Sequence, residues 1–122
     1  MPDSPIFVKV YDLLVWLLPR TLKFPREHRF TLASRIQACA FNLQRALLEA
    51  VKAPDTAEQA AALRQADIEL ADLRLHLRLS ADLKLLERRG YEHASRLLDE
   101  VGRLLGGWQK KHSQSFVGTA GR

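Results

Sequence analysis

"LRLHLRL", Leu73 to Leu79, alternates apolar and polar residues with a period of two, the pattern of a half-buried β-strand. Its surroundings argue otherwise. The stretch has no β-branched residue and no turn residue at either edge, and it lies inside a long run of the strong helix formers Ala, Leu, Glu and Arg. A helix is therefore predicted, and at about 100° per residue its apolar positions divide into two sets. Leu63, Ala66, Leu70, Leu73 and Leu77 fall together, while Ile68, Leu75, Leu79 and Leu86 fall together on roughly the opposite side.

Two apolar faces on one helix set the architecture. A helix in a bundle needs a single broad stripe toward its partners, and a second leucine-rich face left in water would be a sticky patch of unusual size. The chain is one domain of 122 residues, so the cheapest cover is another copy of itself. The prediction is an all-α, up-down four-helix bundle that closes into a homo-oligomer. Leu75, Leu79 and Leu86 would lie in the interface, together with Phe41 and Leu48, which sit off the inner stripe of the preceding helix.

The other helices follow from stops and caps. Ser4 followed by Pro5 starts a first helix that runs to about Leu18. Pro19 and Pro25 then bracket "RTLKF", a basic connector or a kinked extension of the first helix. A second helix reaches about Lys52, with Ile36, Ala40, Leu43, Leu47 and Ala50 inward at spacings of three and four. In "APDTAE", Pro54 ends it, and Asp55 with Glu58 forms a capping box for the third helix, which passes through the opening heptapeptide to about Leu86. "ERRG", ending at Gly90, makes the last turn. The fourth helix carries Tyr91, Ala94, Leu98, Val101, Leu105 and Trp108 inward. Gly102, Gly106 and Gly107 suggest close backbone approach or fraying. Residues 1–111 form the bundle, and "HSQSFVGTAGR", residues 112–122, reads as a disordered tail.

Composition excludes several classes of function. The apolar run Ile6 to Leu18 is too short for a membrane span and carries Lys9 and Asp12, so a buried helix explains it better. No secretory signal precedes it, and the single Cys39 fits a reducing compartment, so the expected location is the cytoplasm. Cys39 is read as a small buried side chain. His28, His76, His93 and His112 lack metal-ligand spacing, no Glu-x-x-His pair occurs, and phosphate-loop, dinucleotide and nucleophile-elbow motifs are missing. No catalytic residue, cofactor, metal or small-molecule substrate is predicted.

Charge remains. The formal net charge is +5, and between Pro19 and Leu48 six basic residues, Arg20, Lys23, Arg26, Arg29, Arg35 and Arg45, face only Glu27. In "PRTLKFPREHRF" the cations are interleaved with Phe24 and Phe30, a mixture suited to phosphate contacts and base stacking. The blander alternative, favoured for the aromatics, is that both rings plug the end of the bundle. Arg74 and Arg78 lie one turn apart between the two apolar faces of the third helix and would be repeated around an oligomer.

Three segments, "KFPREHRFTLASRI", "LRLHLRLSADLKLL" and "YEHASRLLDEVGRLLGGW", resemble, in order and spacing, the accessory variability determinant family of diversity-generating retroelements. The resemblance implies a homopentameric, positively charged barrel of four-helix bundles that binds reverse transcriptase, RNA and the complementary DNA. It would be a non-catalytic accessory in mutagenic retrohoming. The family's basic surface carries over to Arg26, Arg29, Arg35, Arg74, Arg78, Lys84, Arg88 and Arg89, while "LLERRGYEH" departs from the polar cap or proline that the family more often has before the tyrosine. The alternative is a protein-protein adaptor among the related bundles encoded in ribosomal RNA intervening sequences.

Overall fold

The computed structural model describes residues 4–120, with side chains through Gln114. Among them are helices and no strand: α1 (Pro5–Thr21), a single-turn α2 (Arg26–His28), a π-helical turn (Arg29–Ala33), α3 (Ser34–Lys52), α4 (Thr56–Asp82) and α5 (Arg88–Ala120). The heptapeptide is helical throughout, inside α4. The four long helices run up and down, and α4 packs between α3 and α5 while α1 packs on α3 and α5.

Periodicity places the core. Leu13 and Leu17 of α1, Ile36, Leu43 and Leu47 of α3, Leu63, Leu73 and Leu77 of α4, and Leu98 and Leu105 of α5 are fully buried. Polar ties join each neighbouring pair of helices. Gln37 donates to Thr21 Oγ1 at 3.0 Å, the Cys39 thiol to Asp72 at 3.3 Å, and Arg74 pairs with Asp99 at 2.8 Å. Lys9 pairs with Glu100 at 3.0 Å.

The helix ends differ from expectation in four places. Ser4 holds the N-cap position of α1 with Pro5 at N1, but its side chain makes no capping bond. Pro19 does not end α1, which continues to Thr21 with the ring on the exposed side of its last turn. The third break is at Lys84 and not at Gly90. There the backbone turns left-handed, with φ 63°, and the amides of Lys84 and Leu85 donate to the carbonyls of Ala81 and Ser80 at 3.0 and 2.8 Å. That pair of bonds is a Schellman ending, usually built on glycine. α4 therefore stops at Asp82, and Gly90 lies inside α5. Leu86 consequently falls past the helix that placed it on the outer face, and it is buried in the core. Lastly, α5 passes the boundary expected at residue 112 and continues to Ala120, with His112 bonded to the Thr56 carbonyl at 3.0 Å. The final two residues of the expected tail lie outside the described ones. The Asp55 cap forms as predicted, its side chain accepting from the Glu58 amide at 2.8 Å.

Candidate nucleic-acid interface

Up-down topology brings the end of α1, the α2 and π-helical turns, the end of α4 and the start of α5 to one end of the bundle. The segments gathered there, residues 19–35 and 78–93, hold nine basic residues (Arg20, Lys23, Arg26, Arg29, Arg35, Arg78, Lys84, Arg88 and Arg89) against four acidic ones (Glu27, Asp82, Glu87 and Glu92). The whole formal excess of five positive charges thus sits at this end, and the ten basic and ten acidic residues elsewhere cancel. A field so concentrated attracts polyanions and orients them.

Within this end a cleft of about 460 Å³ opens between α1 and the α4–α5 turn. Arg20, Lys23 and Arg89 supply its cations, Glu87 its single carboxylate, and Trp16 and His93 its aromatic wall. The Arg20 guanidinium stacks 4.0 Å from the Trp16 ring centre and donates to the Trp16 carbonyl at 2.8 Å, which holds its charge at the rim. The Trp16 ring also lies 5.3 Å from the His93 ring, tilted 45° to it. Gly90 lies against the indole, where even an added Cβ would meet the Trp16 ring at 3.4 Å, ordinary contact. Guanidinium groups in such a setting present forked donors that match phosphate oxygens. Arg20, Lys23 and Arg89 come from two stretches of sequence more than sixty residues apart, and Trp16 and His93 escaped the sequence reading because neither belongs to a basic run.

Beside the cleft, the two phenylalanines of the connector part company. Phe24 is buried and plugs the end of the bundle, as expected, but Phe30 stands 82% exposed on the π-helical turn. The exposed side chains of Arg26 and Arg29 stand on the same short α2 and π-helical stretch. π-turns of this kind recur at functional sites, where the extra residue re-aims side chains.

The remaining cations divide. Arg35, Arg78 and Lys84 are exposed at the basic end. Arg88 is exposed but paired with Glu92 at 3.1 Å. Arg74 differs from expectation: its guanidinium donates to Asp99 at 2.8 Å and to the Leu98 carbonyl at 3.0 Å, so it binds α4 to α5 within one protomer. Of the residues assigned to the oligomer interface, Leu75 and Leu79 are exposed on α4 next to Ile68, and Phe41 and Leu48 are exposed on α3. α1 exposes Val8, Tyr11 and Val15, and an apolar groove between α1 and α3 is lined by Phe7, Val8, Tyr11, Leu14 and Gln44.

No helix among the described residues is long and apolar enough to cross a membrane. No curated protein sequence matches this chain. A crystal structure of a protein of unknown function from the S23 ribosomal protein family of Bacteroides thetaiotaomicron shares the fold, with a TM-score of 0.80 at 20% identity, covering 90% of this chain and 99% of that one. The bAvd-like family model matches residues 6–112, from the first buried residue of α1 to the histidine that closes on Thr56. A four-helix bundle with a basic end and this match over most of its length belongs to the bAvd-like family.

Proposed function

We propose that the protein is a non-catalytic accessory factor of a diversity-generating retroelement. It binds structured RNA, the complementary DNA and the reverse transcriptase at the basic end of its bundle, and it acts in the cytoplasm. The observation that carries this reading is the collection of the entire charge excess at one end, around a cleft that holds Arg20, Lys23 and Arg89. Phosphate contacts from such a surface release counterions, so RNA affinity falls steeply with salt. Filter binding with Arg26→Glu/Arg29→Glu and with Arg20→Glu/Arg89→Glu tests it. Each double variant is expected to weaken RNA binding and flatten the salt dependence. Unchanged affinity in both would overturn the reading.

The working unit is a homo-oligomer, taken to be a pentameric ring. Two separate apolar surfaces support this: Ile68, Leu75 and Leu79 on α4, and the α1–α3 face with Val8, Tyr11, Phe41 and Leu48. Different patches on one protomer generate rings by head-to-tail contact, and each subunit added to a ring multiplies the basic rim. Leu75→Glu/Leu79→Glu is expected to sediment as a folded monomer. A wild-type protein already monomeric at micromolar concentration would contradict the assembly.

A second reading is a protein-protein adaptor without nucleic acid, which would use the apolar groove between α1 and α3 lined by Phe7, Val8, Tyr11 and Leu14. Reverse transcriptase capture that survives while RNA binding is absent at every salt concentration would favour it.

A further inference from the structure

Away from the basic end, the best-packed pair of helices, α3 and α4, encloses three metal-ligating side chains that the functional reading leaves unused. Asp72 and His76 lie one turn apart on the flank of α4 that faces α3, and Cys39 meets them from α3. Cys39 Sγ lies 3.3 Å from Asp72 Oδ2, His76 Nδ1 lies 3.2 Å from Asp72 Oδ1, and donor atoms of all three residues fall within 4.8 Å of one another. In a tetrahedral zinc site, with bonds of about 2.3 Å to sulfur and about 2.0 Å to nitrogen or oxygen, neighbouring donors stand roughly 3.3 to 3.5 Å apart. Cys39 and His76 each stand at about that spacing from one of the two Asp72 oxygens, and a set with one atom from each residue, within 4.8 Å, closes to tetrahedral spacing by small side-chain rotations.

We propose that Cys39, Asp72 and His76 form a binding site for one divalent cation of the zinc class, with water in the fourth position. Thiolate and imidazole select zinc or cobalt over magnesium and calcium, which prefer all-oxygen shells. Burial is graded to suit such an ion: Cys39 is buried, His76 is mostly covered, and the Asp72 side chain is about half exposed at 47%, leaving a way in from solvent. On binding, the Cys39 thiol releases its proton to solvent and the sulfur bonds the metal. The His76 Nδ1 hydrogen, which now points at the Asp72 carbonyl 2.7 Å away, is given up as the ring adopts its other tautomer, so one proton leaves per ion bound. Without a cation, burial and the neighbouring Asp72 carboxylate push the thiol up to about 12, which keeps the sulfur protonated and unreactive. A bound ion ties α3 to α4 and stabilises the native bundle in proportion to its concentration.

The experiment is a cobalt titration of the full chain, reduced and stripped with chelator. The site predicts a sulfur-to-cobalt charge-transfer band in the near ultraviolet and visible bands of tetrahedral cobalt, saturating at one ion per chain, displaced by zinc and accompanied by a higher melting midpoint. Cys39→Ser is expected to abolish the charge-transfer band. His76→Gln, which changes no core residue, is expected to weaken binding about tenfold or more, the loss that even outer-shell partners cause. Circular dichroism checks that each variant folds. Absence of cobalt bands in the wild type at excess metal, or bands unchanged in both folded variants, would overturn the site.

Discussion

Phe24 and Phe30 belong to the same basic connector and finish in opposite environments, one in the core and one in solvent. Their apolar character was legible in the sequence, but which ring plugs the bundle was not, because Phe24 lies in the bend before α2 and Phe30 inside the π-helical turn, so no single helical register relates them. An aromatic ring held in water among arginines suits stacking on an unpaired base, worth about 1 to 3 kcal/mol per base. Phe30→Ala is therefore expected to leave the melting midpoint nearly unchanged, as surface substitutions do, while weakening single-stranded RNA binding about tenfold, measured by anisotropy. Cys39 shows the reverse pattern, a residue read as a small buried side chain whose carboxylate and imidazole neighbours came from a distant helix. Its folded pKa, pushed from 9.0 to about 12, lies above the unfolded value, so its contribution to stability is complete below about pH 9 and is lost as pH rises toward 12. Metal-free folded protein is accordingly expected to react with iodoacetamide at pH 8 far more slowly than urea-unfolded protein, as read by mass spectrometry.

Among the elements, α4 was the best read, because its N-terminal cap and its two leucine stripes are local patterns that helical geometry converts directly into faces. Its far end was misplaced for an equally local reason. Gly90 advertises a turn, yet the chain turns at Lys84, where the left-handed backbone is held by two carbonyls of α4 and carries a cost of about 1 to 2 kcal/mol for a residue with a side chain. Lys84→Gly is expected to raise stability by about 1 kcal/mol in denaturant unfolding, while removing one cation from the basic end. The glycines of α5 separate in the same physical terms. At Gly102 a Cβ would meet Arg74 Nη2 at 3.0 Å and disturb the Arg74–Asp99 pair, whereas nothing lies within 4 Å at Gly106 or Gly107. Gly106→Ala and Gly107→Ala should each stabilise by about 0.5 to 1 kcal/mol, and Gly102→Ala should gain less.

At the scale of the whole molecule, the sequence revealed a basic connector but not the polarity of the bundle. Arg20 and Arg89 are far apart along the chain, and only the up-down course of the helices brings both to one cleft. The same folding withdrew Arg74 into an intramolecular pair and Leu86 into the core, two losses that no projection of a single helix foresees. The basic end is the central claim, and position, as distinct from total charge, is what it asserts. The most direct measurement compares RNA affinity against salt for two variants with equal charge change: Arg26→Glu/Arg29→Glu at the basic end and Lys110→Glu/Lys111→Glu at the other. Loss of affinity with a flatter salt slope in the first, and near wild-type binding in the second, is the predicted result; equal losses in the two would contradict it.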